Sequence, residues 1–152
     1  MPDPISFTSA SARFRLPYLF SGQSQREAFV NEAHALIDAL LHPAIEGTGN
    51  APPATPGEGE CWLVGNEPTG AWTEQAGALA SFQAGSWIFA APRDGMRVFD
   101  NLAGQVIFYR NAWQRPETPA APSGGTTVDA EARAAIAGLV EALIAAGILP
   151  QD

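Results

Sequence analysis

Three side chains have types and spacing that could support nucleophilic chemistry. His34 and Asp38 stand four residues apart, which is one helical turn, and Cys61 is the single cysteine of the chain. A cysteine beside a histidine can act as a nucleophile when a third group orients the pair. Nothing in the sequence brings Cys61 to His34, and a lone cysteine in an apolar strand is most often a small core residue. We therefore expect these residues to be structural.

The second chemical candidate is an acidic group formed by Glu58, Glu60 and Glu67. Paired carboxylates can hydrolyse glycosides, but these lie in or near a stretch rich in Gly and Pro, which favours a solvated acidic edge. His42 precedes Pro43 and is expected at a helix end. Two histidines and one cysteine match no zinc or calcium template, so we expect no metal and no cofactor. The protein is predicted not to be an enzyme.

The third candidate is aromatic, because several large rings recur beside turns: Trp72, Trp87, Tyr109 and Trp113. Tryptophans in a small domain most often form its core. The alternative is an aromatic surface that stacks on sugar rings or on a protein partner, with Arg97, Asn111 and Gln114 as polar neighbours. Both interpretations stay open at this point.

The composition of the chain excludes several classes of function. The 152 residues include eight arginines and no lysine, against 16 acidic residues, for a net charge of −8. Phosphate-binding loops and Schiff-base enzymes need a lysine, so those classes are excluded. An acidic chain is also a poor partner for nucleic acid or anionic membranes. We expect a soluble protein made in a reducing, cytoplasmic interior, without disulfide, export sequence or membrane insertion.

An amphipathic helix over 24–42 is predicted to position the first of these groups. Ser24 and Glu27 have the spacing of a capping box, and Pro43 ends the helix. The apolar positions recur at three- and four-residue steps and form one broad stripe: Phe29, Ala33, Leu36, Ile37, Leu40 and Leu41.

The segment 60–114 is predicted to be a small antiparallel meander that carries the aromatic residues. Turns are expected at Ala84-Gly85 and Asp94-Gly95. The strands are predicted at residues 61–64, 78–83, 86–90, 96–100 and 105–110, with a last short strand through Trp113. A weak internal repeat relates 82–87 to 108–113, since each has an aromatic residue, a turn former and a tryptophan. The fold class is therefore α+β.

A second, apolar helix is predicted after the linker 115–127, within the segment 128–152. Thr126 and Thr127 are expected to cap its start, and Gly147 its end. Its apolar stripe is a candidate oligomerisation surface and comprises Ile136, Leu139, Val140, Leu143 and Ile144. The predicted organisation is an arm and helix over 1–46, a β region over 60–114 that shares one domain with that helix, the linker, and the second helix.

Several sequence motifs together resemble a known family. They are LPYLFSGQSQRE at 16–27, NEA at 31–33, GAW at 70–72, FQAGSW at 82–87 and PRDG at 92–95. In order and spacing they resemble a bacterial and phage family of domains of unknown function, whose members carry LP-x-L-x-x-GQ-x-Q-K/R-E-x-x-x-NEA. The resemblance covers roughly residues 13–114, and the tail GGTTVDAEAR at 124–133 resembles tails that follow this domain in phage-like proteins.

The resemblance implies a setting and no catalytic residues. Such proteins occur in tail or fibre regions of prophages and in gene transfer agents, as spikes or fibres that engage capsular polysaccharide. The expected function is a non-enzymatic spike or fibre base, or an adaptor, because the chain ends soon after the second helix. Expected partners are identical copies, other capsid, spike and fibre proteins, and cell-surface polysaccharide. The alternative is a carbohydrate-binding module that uses the surface aromatics.

Overall fold

A computed structural model of the protein describes residues 9–22 and 26–151. The chain divides into two compact units, Met1–Pro92 and Arg93–Asp152, called here the first and second unit. The elements, in chain order, are α1 (Arg26–Leu40), β1 (Ala44–Ile45), β2 (Thr48–Gly49), β3 (Cys61–Val64), a 3₁₀ turn (Gly70–Trp72), β4 (Leu79–Gln83), β5 (Ser86–Ala90), β6 (Arg97–Asp100), β7 (Gln105–Arg110), β8 (Ala112–Gln114) and α2 (Ala130–Ala145). The α+β class is confirmed, and the predicted strands agree with the corresponding observed ones to within one residue. The single antiparallel meander predicted over 60–114 is wrong, because its strands belong to two sheets and because β1 and β2, which lie before it, were not predicted. The predicted domain boundaries stay predictions.

Helix α1 buries a different face from its apolar stripe. The buried residues are Ala35, Asp38 and Ala39. In contrast, Phe29 is 78% exposed and Ile37 is 47% exposed. The helix has the two-faced character that the sequence predicts, but the polar face packs inward and much of the stripe faces outward. Ser24 of the predicted capping box lies outside the described residues, while the carboxylate of Glu27 accepts from the backbone N–H of Gly22 (3.1 Å).

The sheet of the first unit has the order β2-β3-β4-β5. Strand β2 runs parallel to β3, whereas β3, β4 and β5 are antiparallel neighbours. Alternate residues of a strand face opposite sides of a sheet. One side receives the 3₁₀ turn, where the fully buried Trp72 packs on Val64 and Ala80. Helix α1 contacts β5.

In the second unit β6, β7 and β8 are successive antiparallel strands. The segment after α2 completes this unit, because the N–H of Val106 donates to Gly147 (2.6 Å) and that of Gln151 donates to Ala103 (2.8 Å). Leu149 is thereby buried. Gly147 adopts φ +67, which is the left-handed conformation expected after a helix end.

The cap at the start of α2 differs from the prediction. The side chain of Asp129 accepts from the N–H of Ala132 (2.8 Å), so the cap is this carboxylate and not the hydroxyl of Thr126 or Thr127. Aspartate is among the preferred caps, and its negative charge also suits the positive end of the helix dipole. In the described part of the chain, no helix is long and apolar enough to cross a membrane.

The predicted repeat corresponds to two related hairpins, one in each unit. Ala84 and Gly85 both have positive φ at the β4–β5 turn, and Asn111 has φ +58 between β7 and β8. Each hairpin pairs an aromatic residue with a tryptophan across its strands. Phe82 faces Trp87 with a centroid distance of 5.1 Å, and Tyr109 faces Trp113 at 5.3 Å.

Candidate functional site

The arm, residues 9–22, lies antiparallel along α1 and is held by polar side chains of the helix. Asn31 accepts from the N–H of Leu19 (2.8 Å) and donates to its carbonyl (3.1 Å). Further along, Nδ1 of His34 lies 2.8 Å from the carbonyl oxygen of Pro17. These contacts assign a structural role to His34, as expected, and they explain why α1 turns its polar face inward.

Asp38 is the centre of the arm's attachment and is fully buried. Its carboxylate accepts from the hydroxyl of Ser11 (2.5 Å) and from the backbone N–H groups of Arg13 (3.0 Å) and Phe14 (2.6 Å). It also accepts from Nε2 of Gln83 (3.2 Å). A buried carboxylate is tolerated when its lone pairs are satisfied in this way. Asp38 therefore joins the arm, α1 and β4.

The guanidinium of Arg13 closes the end of α1. It donates to the carbonyl groups of four residues at the end of the helix, Asp38, Ala39, Leu41 and His42, at 2.8–3.2 Å. The last carbonyls of a helix have no partner within the helix, and a cation there also suits the helix dipole. His42, expected at a helix end, stands there with φ +46.

Gln83 and Tyr18 extend this polar network toward the surface. The Gln83 amide donates to the Ala35 carbonyl (3.0 Å), and its oxygen accepts from the Tyr18 hydroxyl (3.2 Å). Burial, followed by the charges of Asp38 and Glu58, raises the pKa of Tyr18. The phenol consequently stays protonated at neutral pH and acts as a donor.

A cleft of about 440 Å³ opens above this network, and we call it the arm cleft. Its polar lining comprises Ser9, Arg15, Tyr18, Glu58 and Gln83, and alanines complete the wall. Arg15 has φ +56, an unfavourable conformation for a residue with a side chain. The lining offers a cation, a carboxylate, a phenol, an amide and a hydroxyl within one concave surface, which suits a polar ligand.

In the acidic group predicted from the sequence, Glu58 and Glu60 accept hydrogen bonds from groups of the first unit. Both oxygens of Glu58 accept from the turn N–H groups of Ala84 and Gly85, each at 2.8 Å. Glu60 accepts from the indole N–H of Trp62 (3.2 Å). Glu67 is exposed, and its own N–H donates to Asn50 (3.4 Å). Glu58 and Glu60 thus have fixed structural partners.

Cys61 is buried in β3, as expected of a core cysteine. Burial raises the pKa of its thiol to about 11, so the thiolate is scarce at neutral pH. The described residues contain no group of three or more His, Cys, Asp or Glu side chains that could hold a metal ion.

The structure separates the predicted aromatic candidates into two places. Trp72 is fully buried, which corrects its assignment to a binding surface, because its ring is enclosed by the core. Trp87 is half-buried and packs edge-on against Trp72 with a centroid distance of 5.1 Å. Tyr109 and Trp113 are half-buried at the β7–β8 hairpin of the second unit, where Asn111 and Arg97 are exposed.

The residues of the predicted apolar stripe on α2 differ in their exposure to solvent. No residue of α2 is buried. Val140 and Ile144 are half-buried, whereas Ile136, Leu139 and Leu143 are 44%, 65% and 38% exposed. Residues 118–122 run beside the helix and enclose, with Ile136 and Val140, an apolar cavity of about 630 Å³.

Sequence reasoning missed the arm cleft and the role of Asp38. The spacing of Asp38 from His34 drew attention to it as a catalytic partner, although it acts as a hydrogen-bond acceptor for the arm. Its partners lie 24 to 45 residues away in the chain, so the local spacing around Asp38 could not predict them. The sequence did contain one indication of this role, because Asp38 lies on the same face of the helix as the small residues Ala35 and Ala39.

These features define an α+β protein with two units. In the first unit, hydrogen bonds join the arm to a helix and a sheet, and in the second unit an apolar helix is exposed. Residues 30–114, more than half of the chain, match the family described as "Protein of unknown function (DUF2793)". The chain belongs to this family, which confirms the resemblance to a domain of unknown function. No curated protein and no solved structure matches it.

Proposed function

We propose that this protein is a non-enzymatic structural component of a phage-like particle, a gene transfer agent or prophage, in which it forms an oligomeric spike or fibre base or an adaptor. The observation that carries the proposal is the exposed apolar face of α2. The motifs that resemble phage-associated proteins supply the setting, and membership of the DUF2793 family is compatible with it.

The exposed face of α2 has the spacing of a helix-pairing surface. Ala132, Ile136, Leu139 and Leu143 follow one another at intervals of four, three and four residues, and all four are exposed. This interval is that of coiled-coil core positions. We call these residues the α2 seam. Burying one Leu or Ile side chain contributes about 1.5–3 kcal/mol, so three from each copy would favour association.

The outward stripe of α1 supports the same conclusion from the other unit. Phe29, Ile37, Leu40 and Leu41 are between 40% and 78% exposed. Exposed apolar surface of this extent is typical of protein interfaces. In the proposed assembly, α2 joins identical copies, and the α1 stripe contacts another capsid, spike or fibre protein.

The first test measures self-association by size-exclusion chromatography with light scattering at micromolar concentration. The wild type is expected to be a closed oligomer, and the double change Leu139→Asp with Leu143→Asp is expected to make it monomeric. Leu102→Asp is the matched control, because Leu102 is a highly exposed leucine (83%) outside α2. A monomeric wild type, or an oligomer unaffected by the seam changes, contradicts the role of α2.

The second test concerns the particle. Particles purified by density gradient from a producing bacterium are expected to contain the chain at a stoichiometry that survives high-salt washing. Mass spectrometry of the particle fraction measures this. Absence of the chain from particles that carry their full set of capsid proteins would contradict the structural role, whatever its oligomeric state.

A carbohydrate-binding function is the second candidate, favoured by the β7–β8 hairpin. Tyr109 and Trp113 form an edge-to-face pair beside exposed Asn111, so rings and an amide occur together as in sugar-binding surfaces. Host capsular polysaccharide is expected to quench tryptophan fluorescence, and Trp113→Ala to abolish that quenching, while Trp87→Phe in the first unit retains it. No response to any host glycan would contradict this function.

A further inference from the structure

We propose that the arm cleft binds a sugar acid, that is, a small carboxylate that also carries hydroxyl groups. This ligand site lies in the first unit and is independent of self-association through α2. The inference rests on the chemistry of the lining, on the fixed positions of Tyr18, Glu58 and Gln83, and on the size of the cleft.

Arg15 is the group assigned to bind the carboxylate of the ligand. Its guanidinium is the cation of the cleft lining. Within the described part of the chain, no acidic side chain forms an ion pair with it. A guanidinium binds a carboxylate through two parallel hydrogen bonds, as it also binds a phosphate. Arg15 adopts its strained φ of +56 at a conformational cost, and such strain is concentrated at functional sites.

The other polar lining residues can bind hydroxyl groups. Glu58 is held by two backbone N–H groups, and each of its oxygens retains a lone pair that can accept from a ligand hydroxyl. The Tyr18 hydroxyl donates to Gln83, so its oxygen is free to accept in turn. The Ser9 hydroxyl also lines the cleft and can donate or accept. A ligand with one carboxylate and several hydroxyls satisfies all these groups together.

One lining residue, Gln83, belongs to the buried hydrogen-bond network around Asp38. Gln83 is 3% exposed and Asp38 is fully buried, and each is fixed by several hydrogen bonds. A site held by a buried network loses little freedom on binding. The cleft volume of about 440 Å³ falls within the usual range of small-molecule sites, roughly 300–1,000 Å³. It is large enough for one or two sugar rings.

The experiment is a titration of the full, isotopically labelled chain with glucuronate, followed by backbone amide shifts in NMR. Methyl glucoside tests for hydroxyl recognition without the charge, and acetate tests for the charge alone. We expect glucuronate to shift the amides of Arg15, Tyr18 and Ala84 in a saturable manner and to bind at least tenfold more tightly than either control. Equal binding of methyl glucoside or acetate, or no saturable shift with glucuronate, overturns the proposal.

The variant Arg15→Asn tests the assigned cation, because asparagine tolerates the left-handed conformation and should preserve the turn. Its affinity for glucuronate is expected to fall at least tenfold, whereas Arg93→Asn, at an exposed arginine outside the cleft, leaves it unchanged. Unchanged binding in a folded Arg15→Asn overturns the proposal. If that variant fails to fold, Arg15→Lys replaces it, with a smaller loss expected because lysine keeps the charge without the paired geometry. The oligomeric state serves as a separate readout and is expected to stay the same.

Discussion

The two units hold their helices in opposite ways. In the first unit, α1 is fixed along its length, by Asn31, His34 and Asp38 to the arm and by Arg13 at its end. In the second unit, α2 has no buried residue, and the backbone hydrogen bonds to residues 103–106 come from the segment that follows it. Yet α2 is the more apolar of the two helices in sequence.

The difference shows that polar contacts, not apolar content, decide how firmly these helices are attached. Burying hydrogen-bonded polar groups gives directional contacts that fix a helix, whereas an apolar face packs on any apolar neighbour. The apolar stripe of α1 faces solvent, and α2 is attached to its unit mainly by hydrogen bonds near its ends. Both helices therefore present apolar surface, but only α1 should resist displacement from its own unit.

The largest expected effect comes from removing the central carboxylate of the first unit. Asp38→Ala leaves Ser11, two backbone N–H groups and Gln83 without their acceptor, and should lower the free energy of unfolding by about 3–5 kcal/mol. Asp129→Ala removes the cap of α2 and should cost only about 1 kcal/mol. Urea unfolding measures both. Equal losses would contradict the contrast between the units.

The next effect concerns alkaline pH and the core of the first unit. The folded pKa of Cys61 is raised to about 11 from 9.0, so the thiol contributes stability that is complete below pH 9 and is lost as the pH rises towards 11. At about 1.4 kcal/mol for each unit of pKa, the loss reaches about 3 kcal/mol. Cys61→Ala should be less sensitive to pH over this window. An identical pH profile for the two proteins would contradict the burial of the thiol.

A smaller effect is expected at the helix end. Arg13→Gln removes the guanidinium from the last carbonyls of α1 and should cost about 1–2 kcal/mol. Arg133→Gln is the matched change in the second unit, where the arginine donates to the carbonyl of Gly124 at an exposed position, and should cost a few tenths of a kcal/mol. Thermal unfolding compares them, and a reversed order would contradict the closing role of Arg13.

The smallest effect sharpens the comparison between the two hairpins. Ala84→Gly relieves a left-handed alanine at φ +51 and should stabilise the first unit by about 0.5–1 kcal/mol. Asn111→Ala places an alanine in the equivalent conformation of the second unit and should destabilise it by a similar amount. Urea midpoints report both changes. A stabilising Asn111→Ala would contradict the assigned turn geometry.

The sequence predicts the elements well because their determinants are local. The alternation around Trp62, the turn at Ala84-Gly85 and the glycine after α2 depend on a few neighbouring residues, and the structure has them where the patterns place them. The burial of Asp38 and Trp72 depends on distant partners instead. No periodicity within α1 could show that an arm would cover its polar face, and the arm cleft arises only from that arrangement.

One earlier feature bears on the order of folding during synthesis. Gly147 and Gln151 supply backbone partners to residues 103–106, so the sheet of the second unit gains them only after some 40 further residues have left the ribosome. The residues of the first unit are synthesised much earlier, because this unit ends at Pro92. Until residue 151 emerges, residues 103–106 lack these backbone partners, while the apolar side of α2 is exposed both before and after that point. A released chain truncated before Gly147 therefore lacks these backbone partners and is expected to aggregate more readily than the full chain.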